Sequence, residues 1–476
     1  MDKIIGRKKE IDRLDKAMSE DEAQLIIVYG RRRVGKTFLV NEYYSNSFDF
    51  KFTGSEQQTN SEQLKNFTLE LKAVSGNSYN TFKDWTEAFF ALREYLESKN
   101  TDEKQVVFFD ELPWMDKQRS GFLAAFEWFW NSWGSSKNNL VFIVCGSSTS
   151  WMVEKLDNNK GGLFNRQTCR LYLEPFTLKQ TEEYLNSRNV FWSRYNYVVV
   201  YMIMGGIPFY LRLIDNELSL SENIDNIFFK KRAELWNEFD HLYSTLFSNS
   251  DQYIKIVESL SKKRYGLTRE EIIKSTGLPA NGVLTKMLNN LEKSGFIRID
   301  DAYGYKKREK KYQLSDYYSL FYFKFIKNNY GKDEHFWSNT SDSPSKRSWE
   351  GLSFEQICKD HIDQIKKKLG ISGIISEVSS WTKQGDGNDK GTQIDLLIDR
   401  RDNVINLCEI KFSTHEFEIN KDYDTALKNK VSVFRDSVNT KKTLAVTMIT
   451  TYGVKKNMYS NYVSKQVVLD DLFEDA

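Results

Sequence analysis

The chain has 476 residues, 68 Lys and Arg against 66 Asp and Glu (net charge +2), and 40% hydrophobic and 14% aromatic residues. That apolar content excludes disorder for most of the chain, and the length predicts about three domains. Near-neutrality excludes a coat of nucleic acid over the whole surface, but it leaves room for one basic face.

Cys145, Cys169, Cys358 and Cys408 form no CxxC pair and the four histidines are scattered, so neither a disulfide framework nor a zinc site is expected. The opening Met1-Asp-Lys-Ile-Ile-Gly-Arg7 lacks the apolar core of a signal peptide. The longest uncharged stretch, Tyr195 to Leu211, is interrupted by Gly205, Gly206 and Pro208. It falls short of the roughly 18–20 apolar residues that span a bilayer. These features predict a reducing, cytoplasmic setting and no membrane segment.

In chain order, residues 25–175 alternate apolar runs with amphipathic stretches. Leu25–Tyr29, Phe48–Thr53, Gln105–Phe109, Leu140–Cys145 and Arg170–Leu173 read as five strands of a parallel α/β sheet. The first strand runs into Gly30-Arg31-Arg32-Arg33-Val34-Gly35-Lys36-Thr37, a full GxxxxGK[ST] loop followed by a helix. Backbone N–H groups of Gly30 to Gly35 at a helix N-terminus suit phosphate oxygens. Lys36 is expected to reach the β- and γ-phosphates of ATP, and the Thr37 hydroxyl to hold Mg2+. The third strand ends in Asp110-Glu111, which supplies a second Mg2+ contact and a residue to orient the attacking water. Beyond the fourth strand, Ser147 or Ser148 is a candidate sensor of the γ-phosphate, and Arg166 is placed like a transition-state arginine. The stripe Phe122, Phe126, Phe129, Trp130 and Trp133 in helix 120–133 reads as core packing rather than a stacking platform for bases.

Several segments together resemble the archaeal-type AAA+ ATPases related to the STAND and origin-recognition groups. They are Gly6-Arg7…Glu10, Tyr29 to Thr37, Phe109-Asp-Glu-Leu-Pro-Trp-Met115, Gly146-Ser-Ser148 and Gly205-Gly-Ile-Pro208. The resemblance covers about the first half of the chain. It implies a P-loop core over 1–175 and a helical lid over 176–250, with Arg7 near the adenine.

Residues 251–330 change pattern. Thr268, Glu271 and Gly277 read as N-cap, capping-box partner and stop of one helix, and a turn at Leu278-Pro279 leads to a second, Ala280 to Ser294. Val283, Leu284, Met287, Leu288 and Leu291 form its apolar side; Asn281, Thr285, Lys286 and Asn289 are the exposed candidates for base contact. A hairpin over 295–299 and 311–314 has the basic tip Tyr305-Lys-Lys-Arg-Glu-Lys-Lys311, which completes a winged-helix pattern suited either to DNA or to protein contact. Residues 251–315 carry 14 Lys and Arg against 8 Asp and Glu. The Ser-, Asp- and Asn-rich patch 338–348 reads as a linker.

The region 345–476 opens with a helix, 349–369, containing Glu355. Asp395 and the Glu409-Ile-Lys411 triplet then lie on adjacent strands joined through an Arg400–Asn403 turn. Alternation puts Glu409 and Lys411 on one face. This is the layout of the PD-(D/E)xK nucleases, with Glu355, Asp395 and Glu409 as metal ligands and Glu409 and Lys411 as catalytic groups. It also resembles the nuclease-like domain that commonly ends this ATPase family, as does the later Lys421-x-Tyr423…Lys430 pattern. The expected whole is a Mg2+–ATP-dependent ATPase, with DNA, a protein partner or a second copy of the chain as its partner. The alternative is a STAND-like switch with a silent C-terminal domain.

Overall fold

Continuous Val-, Ile-, Leu- and Phe-rich runs become the buried strands of the first half of the molecule. The computed structural model describes residues 4–157, 162–163, 165–300, 303–304, 310–329, 331–340, 342–383 and 391–475. The chain divides into two compact units, Met1–Pro175 and Phe176–Ala476.

In the first unit β1 (Gln24–Gly30), β2 (Phe50–Thr53), β3 (Gln105–Asp110), β4 (Leu140–Gly146) and β5 (Cys169–Leu173) are parallel, in the order β2-β3-β4-β1-β5. Every residue of β3 and β4 is buried. That is the mark of a sheet covered on both faces, and it explains why these strands read as unbroken apolar runs. The five expected strands are all present, with their ends displaced by one or two residues. The helix Phe122–Ser132 buries its aromatic stripe, and Phe126 and Phe129 lie against Phe89 and Phe142, as core packing predicts. Strand order matters for the site. β4 lies between β1 and β3, so Ser147 emerges between the phosphate loop and Asp110-Glu111.

The second unit begins with helices only, from Leu178–Ser187 to Glu238–Leu246. Gly205 stops the helix Arg194–Met204 at φ +64, and Pro208 opens the next short helix at its first turn. After the helix Ser250–Ser261 come β6 (Leu267–Thr268), the helices Arg269–Thr276 and Gly282–Lys293, and the hairpin β7 (Ile297–Asp300) and β8 (Lys311–Leu314). These strands pair antiparallel in the order β6-β8-β7. Thr268 and Glu271 form the reciprocal capping box, and Gly277 closes the helix in the left-handed region. β6, only two residues long, is too short for alternation to reveal.

Two helices, Pro344–Asp360 and Ile362–Leu369, precede a mixed five-stranded sheet. It contains β9 (Ser376–Lys383), β10 (Thr392–Arg400), β11 (Val404–Lys411), β12 (Thr443–Thr450) and β13 (Lys465–Val468), in the order β13-β12-β11-β10-β9. β10 runs antiparallel to both β9 and β11, whereas β11, β12 and β13 are parallel. The helix Lys421–Val438 makes the crossover that a parallel β11–β12 pair requires. Its Val431 and Phe434 pack on Ile405 and Leu407, the face that ends in Glu409.

Three readings of the sequence are corrected by the structure. The linker expected at 338–348 is built into the fold: Trp337 and Ser338 N–H groups donate to Asp225 at 2.8 and 3.2 Å, and Lys346 lies 3.8 Å from the Trp337 ring centroid. Its polar residues are cap signals, since Ser343 caps the helix that Pro344 opens. The single helix 349–369 is two helices, broken at His361 (φ −111, ψ 34). Val283, assigned to the apolar side, is 56% exposed, while Leu284, Met287, Leu288 and Leu291 are buried. The basic tip at 305–309 lies outside the described residues, and the hairpin leading to it is tied down by side-chain contacts. Asp300 accepts from Lys359 at 2.9 Å, and the Tyr303 hydroxyl donates to Asp399 at 3.0 Å.

Candidate functional site

The phosphate loop begins where β1 ends, and two of its glycines are required by geometry. Gly30 has φ +138, and a Cβ there would sit 2.4 Å from the Leu173 carbonyl oxygen of β5; Gly35 has φ +92 at the N-cap of the helix Lys36–Tyr43. Arg33 is also in the left-handed region, at φ +70. Lys36 is buried, and its Nζ donates to the carbonyls of Gly30 (3.1 Å) and Arg31 (2.9 Å), which keeps the ammonium within the curve of the loop. Burial lowers its pKa, opposed by the neighbouring carboxyl groups of Glu111 and Asp110. Arg7 is buried beside the loop and ties it down, donating to Val34 O (3.0 Å) and Glu174 O (2.9 Å).

The expected partners converge. Thr37 Oγ1 donates to Asp110 Oδ2 at 2.8 Å. Glu111 sits at φ +50, a strained conformation for a non-glycine residue, and its Oε2 accepts from Ser147 Oγ (2.9 Å) and Ser147 N (3.2 Å). Burial raises the Glu111 pKa, with Asp110 adding to the effect. This donor set fits Mg2+–ATP: N–H groups at a helix start, an ammonium, and a hydroxyl–carboxylate pair of hard oxygens. Arg32 Nη1, buried with no hydrogen-bond partner among the described residues, is a further donor for an anion. Arg166 is not brought into this group. It is exposed before β5, and its side chain has no partner among the described residues.

In the second unit, Asp395 and Glu409 occupy neighbouring strands, each one residue beyond the paired Leu396 and Cys408, and both are buried. Glu409 is clamped by cations and a phenol: Lys430 Nζ at 2.5 Å, Lys411 Nζ at 2.9 Å and the Tyr423 hydroxyl at 2.8 Å. Burial opposes its ionisation, but Lys411 and Lys430 outweigh burial and hold its pKa below the usual range. Asp395 is pushed up to about 6 by burial and by the neighbouring charges of Glu355 and Glu409. Glu355, on the helix Pro344–Asp360, pairs with Arg264, whose Nη2 also lies 3.6 Å from Asp395 Oδ1.

The three carboxylates expected as a metal set, Glu355, Asp395 and Glu409, are thus neighbours, each facing a cation. Among the described residues no group of three or more His, Cys, Asp or Glu side chains could hold a metal ion. Cations satisfy the carboxylates instead. Sequence reasoning missed Arg264, which lies 91 residues from Glu355 in a Lys-Lys-Arg run that reads as a solvated helix end.

Residues 4–214 match the family model described as an ATPase domain predominantly from Archaea. A protein of Methanocaldococcus jannaschii is 25% identical over 398 residues, which is 83% of this chain and 84% of the relative. An ATP-binding protein of the same organism is 48% identical over 43 residues, 9% of this chain and 73% of that one. Among solved structures, the chain is similar to a Walker-type ATPase of Pyrococcus abyssi: 18% identity, 67% of this chain, 96% of that chain, TM-score 0.46. The family match supports an archaeal-type P-loop ATPase over its stretch, with ATP as ligand. No helix among the described residues is long and apolar enough to cross a membrane.

Proposed function

We propose that the chain is an ATP-hydrolysing P-loop protein of archaeal type, coupling Mg2+–ATP turnover in its first unit to a winged-helix and nuclease-like second unit acting on or near DNA. The observation that carries the hydrolytic reading is the paired contact Thr37–Asp110 and Glu111–Ser147 at the ends of adjacent strands. When bound, Mg2+ would neutralise charge on the β- and γ-phosphates, held by Thr37 and Asp110. Lys36 draws on the same phosphates, and Arg7 holds the Val34 end of the loop. Glu111 is the group that orients water, and its raised pKa suits a residue that must accept a proton in a buried site. Arg166, being exposed, is a candidate for a neighbouring copy's nucleotide.

For the second unit, the support is the capped helix pair with its three-stranded sheet, and the burial of Asp395 beside Glu409 and Lys411. Asn281, Thr285, Lys286 and Asn289 are all exposed, and the Asn281 side-chain Oδ1 also caps the helix Gly282–Lys293 by accepting from the Val283 and Leu284 N–H groups. Cleavage of linear, plasmid or single-stranded DNA with Mg2+ or Mn2+, assayed with and without ATP, tests the coupling. The reading expects divalent-cation-dependent cleavage that ATP modulates and that Asp395→Ala abolishes. No cleavage under any condition, with Asp395→Ala indistinguishable from wild type, would end the nuclease part. The second reading, an ATP-gated switch with a silent C-terminal domain, is favoured by one observation: Arg264, Lys411 and Lys430 already neutralise the three carboxylates.

A further inference from the structure

Beside the carboxylates, within the second unit, is a cavity of about 590 Å³ that the ATPase reading does not use. The helices Ser250–Ser261 and Pro344–Asp360 contribute to its walls. Six cations line it: Lys262, Lys263, Arg264, Lys324, Lys327 and Lys359. The lining holds only two carboxylates, Glu258 and Glu355. Glu258 is shared by Lys262 (3.4 Å) and Lys327 (2.8 Å), Lys359 is paired with Asp300, and Arg264 with Glu355. Lys263 and Lys324 are exposed and have no acidic partner among the described residues. The lining therefore has an excess of positive charge that the protein itself does not neutralise.

The cavity also has a largely buried aromatic wall. Trp349 lines the same cavity and is only 5% exposed, yet its indole Nε1 is buried without a hydrogen-bond acceptor among the described residues. The oxygens of a phosphodiester would answer the unpaired Lys263 and Lys324. The cavity also leads toward the acidic site. Glu355 lines it, and Arg264, another lining residue, reaches to within 3.6 Å of Asp395. A cavity of this volume suits a small ligand or a strand end, not the width of a duplex.

We propose that this cavity binds the phosphate backbone of a nucleic-acid single strand and presents it to the Glu355–Asp395 end, where Arg264 exchanges carboxylate for phosphate. The inference rests on the reading that the second unit acts on nucleic acid, but strand binding needs neither metal nor ATP. A single strand meets such a surface through charge and counterion release, so its binding must depend on salt.

The test is fluorescence anisotropy of a labelled single-stranded oligothymidylate with the full chain, in EDTA and without nucleotide. Lys263→Gln combined with Lys324→Gln, both at exposed positions, is expected to weaken binding on the order of 10-fold at low salt. The slope of log affinity against log salt should fall by about 1.4, the loss of two phosphate contacts. Affinity and salt slope unchanged in the double variant would overturn the proposal. So would displacement by inorganic phosphate as readily as by unlabelled strand, because that describes an anion pocket. The two readings fail separately. Strand binding without cleavage leaves the cavity standing and removes the nuclease; cleavage with unaltered strand affinity in the double variant does the reverse.

Discussion

Ser147 offers Glu111 two donors, its hydroxyl and its backbone N–H, and only the hydroxyl can be removed by mutation. Ser147→Ala should therefore slow ATP turnover about 10-fold with little change in ATP affinity, and Ser147→Thr should restore it, measured as kcat and KM for phosphate release. A role confined to folding would move both constants and the Tm together. Asp395 makes a different prediction. Its pKa is raised to about 6 in the fold, against an ordinary value of 3.8. Between those values the folded state binds more protons, so this residue's contribution to stability falls as pH rises. Asn at 395 carries no charge, so Asp395→Asn in EDTA should gain on wild type by about 1.4 kcal/mol between pH 5 and pH 7.5, read from Tm. Glu409, held below the usual carboxylate range, does not titrate in that window. A constant Tm difference between the two pH values would contradict the burial argument. At this scale the loop, Asp110, Glu111 and the Asp395–Glu409 pair were legible, because each follows an apolar strand at a spacing set by chemistry. Arg264 was not, because its partners are distant in sequence and nothing in the local pattern marks them.

Elements that bury a continuous face were readable, and elements that do not were misread. β1 to β5 announce themselves because both faces of the sheet are covered. The polar β9 lacks alternation, and the two-residue β6 lacks length. The 338–348 segment misled because Ser and Pro mark linkers and helix starts alike, and only packing against Asp225 decides between them. Two substitutions test the elements that were read correctly. Gly30→Ala puts a Cβ against the Leu173 carbonyl oxygen and should cost more than about 2 kcal/mol, lowering the Tm of the first unit and its ATP affinity together. Thr268→Ala removes a capping box and should cost about 1 kcal/mol, without affecting ATP binding.

For the whole molecule, near-neutrality hides a division of labour. Positive charge gathers between residues 251 and 315 and around the cavity beside Glu355, while the carboxylates of the second unit are held by cations from three separate segments. The first unit holds the nucleotide motifs in a geometry suited to hydrolysis, and the coupling proposed between the units depends on that turnover. The most direct measurement is phosphate release alongside equilibrium binding of ATP, for wild type, Lys36→Ala and Glu111→Gln. The account predicts that Lys36→Ala loses ATP binding. It also predicts that Glu111→Gln binds as wild type while turning over on the order of 100-fold more slowly. A Glu111→Gln protein that releases phosphate at the wild-type rate would contradict it.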